Sequence, residues 1–211
     1  MKTAVEKEEE IQMNKSGHLI VTGSLFQNLD RRYKFWLLVG SILPDIFVHT
    51  YLTGHTWAAS FSLTAEKMRQ LEWKGRMNSF SFLKLGYILH YIEDYFTFPH
   101  TEGYTGSLSD HVRYEKELTE YLSVHHDFMD FKDCDDTASI DPLIIYLEKN
   151  HQKYKEIVPG FANDFKYIFW AAGKVACSYA RIFEKNQKSA EIRKKKKAQT
   201  YVYPEYLLMH K

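Results

Sequence analysis

The sequence has few of the features that mark disulfide-rich, membrane-spanning or nucleic-acid-binding proteins. Two cysteines among 211 residues, Cys134 and Cys177, are too few for a disulfide scaffold and form no Cys-x-x-Cys pair. The apolar runs are shorter than the roughly 18 residues that a transmembrane helix requires. Basic and acidic residues number 28 and 27, and the resulting net charge of +1 gives no reason to expect a dedicated nucleic-acid binder, whose surface would be plainly basic.

The first residues of the sequence do not have the pattern of a secretory signal. The opening residues, MKTAVEKEEEIQMNKSG, contain neither a basic n-region nor an apolar core. We therefore expect a cytoplasmic protein whose cysteines are reduced. With 45% apolar residues, the chain is long enough to form one compact domain.

Apolar residues recur three and four positions apart along most of the chain, a spacing that predicts helices. We find no internal repeat, no sustained alternation of apolar and polar residues, and no Asn-Gly hairpin signal. The predicted fold is all-α, a single bundle-like domain of about six or seven helices over residues 16–192. A charged tail over 1–15 and a basic and aromatic tail over 193–211 flank it. The predicted helices cover residues 18–29, 35–43, 58–73, 79 to near 99, 111–126, 141–152 and 161–190.

Several residues predict where these helices begin or end. Pro44 should stop the second helix, because proline disfavours helix in the residue before it. Ser79 is the predicted N-cap of the most apolar helix. Ser109 or Asp110 is predicted to cap the helix that follows.

Residues 85–117 concentrate histidines and carboxylates at helical spacing. His90 and Asp94 are four residues apart, and so are His111 and Glu115, so each pair shares one face of its helix. His100 lies between the pairs, just after the first of these two helices should end. Two antiparallel helices joined by a loop would bring the five groups to one end of a bundle, where facing helices often assemble a metal site.

A single His-x-x-x-Asp pair is more often a hydrogen-bonded part of a helical core than a metal site. Five such groups within 26 residues are harder to explain by composition. Burying three histidines and two carboxylates without a cation would also be costly. This segment therefore predicts a metal site, with Glu93 and Tyr91 expected to point to other faces of the helix.

The motif Gly-x-x-Leu-His-x-x-x-Asp, followed by a histidine six residues on and then by His-x-x-x-Glu, resembles the zinc-dependent phospholipase C family of bacteria. Upstream, the sequence also supplies His18, the motif GSILPD ending at Asp45, and His55. The resemblance implies an all-helical catalytic domain that holds two or three zinc ions, and it is specific over roughly the first 125 residues.

Carried over to this chain, the resemblance implies a ligand role for eight residues. Asp94 would bridge two ions, and Asp45 would also act as general base on the attacking water. His49 competes with His55 for one position. The implied sets are Asp45, His55, His90 and Asp94 for one zinc, His100, His111 and Glu115 for a second, and His18 with Asp94 for a third.

The chain departs from the secreted members of the family at the third zinc. In those proteins an N-terminal tryptophan supplies two ligands, whereas here His18 follows 17 residues that include no tryptophan. Either another group replaces the tryptophan or this site is weak or empty.

The resemblance implies phosphodiester hydrolysis by a zinc-activated water. We expect a phospholipid or another phosphodiester as substrate, and no stable nucleic-acid partner. Without a transmembrane segment, peripheral contact with a membrane remains compatible with the sequence. The alternatives are a nuclease-like phosphodiesterase, a catalytically inactive metal-binding helical domain, and an HD phosphohydrolase built on His126-Asp127, with His90 or His100 upstream and Asp164 downstream.

Overall fold

The computed structural model describes residues 4–46, 54–126 and 139–200, with side chains over 15–46, 54–126 and 139–196. Within these ranges the chain forms seven α-helices and one short 3₁₀ turn, Phe98–His100, and no strand. The predicted all-α fold is confirmed. The helices are α1 Ala4–Leu25, α2 Arg31–Ile46, α3 Trp57–Lys74, α4 Ser79–Asp94, α5 Leu108–His125, α6 Ile140–Glu156 and α7 Phe161–Thr200.

Helix α4 is the centre of the bundle. It packs against α2, α3 and α7, and its apolar side chains are buried on nearly every side. A helix that is apolar all round is stable only inside other elements, and the sequence FSFLKLGYILHYIED of α4 has this character. The residues that follow its apolar part, His90 to Asp94, are therefore buried as well.

Two glycines bring the backbones of α2 and α4 into direct contact. A Cβ added to Gly40 would lie 2.1 Å from the carbonyl oxygen of Leu83, and one added to Gly86 would lie 2.0 Å from that of Leu37. Both distances are far below any allowed contact, so only glycine permits this approach. The contact matters for the site, because it sets the ends of α2 and α4 beside each other.

Several predicted helix ends differ from those observed. Helix α2 continues through Pro44 to Ile46, because a proline in the last turn removes only one hydrogen bond of the helix. Asn78, not Ser79, caps α4 by accepting a hydrogen bond from the backbone N–H of Ser81.

Helix α5 begins earlier than predicted. Ser107, neither Ser109 nor Asp110, is its N-cap, and Asp110 completes a capping box by accepting a hydrogen bond from the backbone N–H of Ser107. This reciprocal pairing satisfies two N–H groups that a helix start leaves without partners.

The first and last helices are longer than the sequence predicted. Helix α1 begins at Ala4, inside the segment predicted as a charged tail, and α7 runs through the basic segment to Thr200. The expectation of reduced cysteines is wrong for Cys177 in α7, which is disulfide-bonded. In the described part of the chain, no helix combines the length and apolar character needed to span a membrane.

Candidate metal centre

All eight predicted ligands lie at one end of the bundle. The C-terminal ends of α2 and α4 meet there with α1, the segment before α3, the 3₁₀ turn and the start of α5. The histidine nitrogens and carboxylate oxygens form three groups in which the atoms lie within 4.8 Å of one another. The groups are Asp45 with His55 and His90, His18 with His90 and Asp94, and His100 with His111 and Glu115.

The first group surrounds the side chain of His90, which has no exposed surface. Its Nε2 lies 3.5 Å from Oδ1 of Asp45 and 3.1 Å from Oδ2 of Asp94. His55 approaches from the other side, with its Nδ1 3.0 Å from the same Asp94 oxygen and 4.0 Å from Asp45 Oδ1. Ligand atoms around a tetrahedral zinc lie about 3.3 Å apart, given the usual zinc–nitrogen and zinc–oxygen distances. The spacing observed here is of that size.

The hydrogen bond made by Nδ1 of His90 determines whether Nε2 carries a proton or a lone pair. Nδ1 donates to the backbone carbonyl of Ser41 at 2.9 Å, in the α2 segment that Gly40 holds against α4. Burial, together with the neighbouring His18, lowers the pKa of His90 and so favours the neutral ring. Its Nε2 then presents a lone pair to the Asp94 carboxylate, and two acceptors at that distance repel each other unless a cation lies between them.

The group of His100, His111 and Glu115 joins the 3₁₀ turn to α5. Nε2 of His100 and Nε2 of His111 both lie 2.9 Å from Oε1 of Glu115. Burial raises the pKa of Glu115, but the hydrogen bonds and charges of His100 and His111 have a larger effect and lower this pKa to about 2. Burial lowers the pKa of His100, yet the carboxylates of Asp94 and Glu115 raise it to about 9.

Asp94 lies between the groups and faces four histidines. Its Oδ1 is 3.4 Å from Nε2 of His18 and 3.7 Å from Nε2 of His100, while Oδ2 faces His55 and His90. Burial opposes ionisation, but the charges of His90, His100 and His18 in their protonated forms hold the pKa of Asp94 well below its usual value. A carboxylate whose two oxygens face different sets of ligands has the geometry of a bridging ligand.

Glu93 contacts the centre although the sequence placed it on another face of α4. Its Oε2 lies 2.5 Å from Nδ1 of His18, and its Oε1 accepts a hydrogen bond from Thr22 at 3.0 Å. Burial raises the pKa of Glu93 to about 7, although His18 and Thr22 oppose the change. Burial lowers the pKa of His18, but the carboxylates of Asp94 and Glu93 raise it well above the usual value.

Buried polar atoms without hydrogen-bond partners indicate that this end of the bundle fits a cation. Such atoms are rare in folded proteins, because each one costs free energy. Among the described residues, such atoms on predicted ligands include Asp45 Oδ2, His90 Nε2, Asp94 Oδ2 and Glu115 Oε2. Imidazoles and carboxylates are among the ligands that bind zinc in proteins.

Two further sequence expectations concern residues near the centre. His49, the alternative to His55, lies outside the described residues. Tyr91 does not point away from the site, because its ring centroid is 5.2 Å from that of His55 and 5.4 Å from that of His90.

The HD phosphohydrolase alternative does not agree with the structure. His126 is at the C-terminal end of α5, 15 residues from His111, or about 22 Å along the helix at 1.5 Å per residue. Asp164 is bonded to Phe98, Tyr114 and Tyr154. Neither His126 nor Asp164 belongs to any of the three groups of potential metal ligands, and Asp127 lies outside the described residues.

The comparisons with known proteins agree with this arrangement. Residues 17–176, more than half of the chain, match the zinc dependent phospholipase C family. Neither the curated proteins nor the solved structures include a significant match to the chain. The matched range contains all eight predicted ligands, and the chain therefore belongs to the zinc-dependent phospholipase C family, whose members are metal-dependent phospholipid hydrolases.

Proposed function

We propose that this protein hydrolyses the bond between phosphorus and the glycerol oxygen of a phospholipid. The oxygen of a water molecule attacks phosphorus, the glycerol oxygen leaves and takes up a proton, and the products are diacylglycerol and the phosphorylated headgroup. The observation that carries this proposal is the position of Asp94, whose two oxygens face the histidines of all three groups.

The three groups suggest how the ligands are divided. Asp45, His55, His90 and Asp94 would hold one zinc, and His100, His111 and Glu115 a second. His18 and Asp94 would contribute to a third, although no tryptophan precedes His18 in the chain. Zinc bound in such sites lowers the pKa of water toward about 7 and neutralises charge on a phosphoryl group.

Asp45 is the residue best placed to receive the proton of the attacking water. Its Oδ1 faces His55 and His90, whereas its Oδ2 lies 4.0 Å from Nε2 of His18 and has no hydrogen-bond partner. One oxygen is thus available as a ligand while the other can act as general base. A general base must lie within hydrogen-bond reach of the proton that it takes, and the buried Asp45 side chain lies against the metal-ligating groups.

The proposal predicts that Asp94→Asn abolishes phospholipid hydrolysis and lowers the zinc content. The amide cannot present two anionic oxygens to two sets of histidines, so we expect turnover of phosphatidylcholine vesicles to fall by at least about 100-fold, or about 2.7 kcal/mol of transition-state stabilisation. Zinc per chain is measured by mass spectrometry and turnover by release of diacylglycerol. Full activity and full zinc content in this variant would contradict the proposal.

Two variants on α5 each remove one negative charge, but only one of them removes a predicted metal ligand. Glu115→Gln changes a buried carboxylate between two histidines, whereas Glu117→Gln changes an exposed one two residues away. We expect the first to lose activity and zinc, and the second to retain both.

The same assay distinguishes the remaining alternatives. Turnover of single-stranded oligonucleotides but not of vesicles would favour a nuclease-like phosphodiesterase. Zinc binding without turnover of either substrate would favour a metal-binding domain that is not an enzyme.

A further inference from the structure

Asp164, in the first turn of α7, is a carboxylate with no exposed surface that the proposed mechanism does not use. Its Oδ1 accepts a hydrogen bond from the hydroxyl of Tyr154 at 2.7 Å. Its Oδ2 accepts two more, from the backbone N–H of Phe98 at 3.0 Å and from the hydroxyl of Tyr114 at 2.9 Å. Three donors make the burial of this carboxylate tolerable.

The donors lie beside two of the predicted zinc ligands. Phe98 begins the 3₁₀ turn that ends at His100, and its N–H has no partner within the turn. Tyr114 immediately precedes Glu115 on α5. Asp164 therefore joins the segment that carries His100 to the helix that carries Glu115, whose Oε1 lies 2.9 Å from Nε2 of His100.

We infer that Asp164 is a positioning residue for the zinc group formed by His100, His111 and Glu115, an inference that rests on the proposed function. Asp164 is not itself a ligand, because both of its oxygens are occupied by hydrogen-bond donors and it belongs to none of the three groups. It acts through Phe98 and Tyr114, which fix the distance between the 3₁₀ turn and α5.

The effect of Asp164 is confined to one group. Asp45 and His90 are on α2 and α4, and His55 precedes α3, whereas the three donors to Asp164 are on the 3₁₀ turn, α5 and α6. Removing the carboxylate thus frees the turn and α5 to move apart and leaves the contact between α2 and α4 in place.

The test compares Asp164→Ala with Asp164→Asn in the full chain. The alanine removes every acceptor, and we expect one zinc fewer per chain, or at least a 10-fold loss of affinity for the weakest ion, the usual scale for residues that orient metal ligands. The asparagine retains an acceptor for the N–H of Phe98, and the hydroxyl of Tyr154 can turn to accept instead of donate. Asparagine should therefore restore most of the zinc binding.

Zinc per chain is measured by mass spectrometry after dialysis against buffered zinc, together with the Tm of each variant. Tyr179→Phe is the matched control, since it removes a different buried hydrogen bond of α7, from the Tyr179 hydroxyl to the carbonyl of Met68 at 2.7 Å. This control should lower Tm without changing the zinc content. Equal loss of zinc in Asp164→Ala and Tyr179→Phe would overturn the inference, as would wild-type zinc number and affinity in Asp164→Ala.

If Asp164→Ala does not fold, Tyr114→Phe decides the question, because it removes a single donor and leaves the Phe98 bond intact. Weaker binding of one zinc supports the positioning role, and unchanged binding overturns it. A wild-type chain that binds no zinc would instead refute the proposed function, and this inference with it.

Discussion

Glu93 differs from the eight predicted ligands because no sequence motif predicts that it contacts the metal centre. Its contact with His18 joins residues 75 positions apart in the sequence, and no local spacing rule can predict such a pair. The pairs His90 with Asp94 and His111 with Glu115 were predicted to share helix faces, because four residues make about one turn. One signal for Glu93 was available: it is an acidic residue in a helix that is apolar on nearly every side.

Glu93→Gln should weaken the binding of one zinc by about 10-fold. A carboxylate that receives a histidine N–H fixes the orientation of the ring and makes its other nitrogen a better ligand, and a neutral amide is a poorer acceptor. The measurement is a competition titration against a chelating dye.

The matched control for Glu93 is Glu102→Gln, which makes the same change at an exposed loop position. The control should bind zinc as the wild type does. If Glu93→Gln retains wild-type affinity for every ion, Glu93 does not orient His18.

At the scale of single elements, the sequence identified the helices better than their ends. Apolar periodicity placed α3 and α4 within a few residues, but the N-caps at Asn78 and Ser107 depend on side-chain hydrogen bonds that neighbouring polar residues could equally have made. The length of α1 was missed because its charged first half has no apolar period. The contact between Gly40 and Gly86 joins two separate helices, and neither glycine has a local signature.

Gly86→Ala should destabilise the protein and disturb the metal centre. Its Cβ would lie 2.0 Å from the carbonyl oxygen of Leu37, so α2 and α4 must move apart. Overpacking of this kind costs about 1 to 3 kcal/mol, or roughly 3 to 10 °C in Tm for a chain of this length. Thermal denaturation measures the shift in Tm. The amount of zinc bound per chain shows whether the displacement of His90 and Asp45 disturbs the metal centre.

Gly103→Ala is the corresponding control, because no atom lies within 4 Å of the added Cβ. We expect it to change Tm by no more than about 2 °C, since surface substitutions usually stay within about 0.5 kcal/mol. Wild-type Tm and zinc content in Gly86→Ala would show that the two helices tolerate a wider separation.

At the scale of the whole molecule, the predicted ligands come from α1, α2, α4, α5, the 3₁₀ turn and the segment before α3. A cation that holds them together also holds those elements together, so binding and folding should be linked. The prediction of an all-α bundle with its metal site at one end required only periodicity and the spacing of histidines and carboxylates. Which helices would meet there could not be read from the sequence, because their contacts depend on packing around α4.

Removal of metal should therefore lower the stability of the entire chain. A ligand present at 100 times its Kd stabilises the folded state by about 2.7 kcal/mol, and the loss of one such ion should lower Tm by about 5 to 10 °C. Differential scanning calorimetry with and without EDTA measures this shift. The Asp94→Asn variant should respond less to EDTA, and an unchanged Tm in the wild type would contradict the linkage.

The position of Asp164 in the chain has a consequence for the order in which the protein is made. All eight predicted ligands lie before residue 116, whereas Asp164 lies 49 residues after Glu115. A nascent chain leaving the ribosome therefore carries all eight predicted ligands before it carries the carboxylate that ties the 3₁₀ turn to α5. The predicted ligands are thus synthesised before the residue that positions three of them. The part of the chain after Glu115 contributes no predicted ligand, but it contributes this positioning residue.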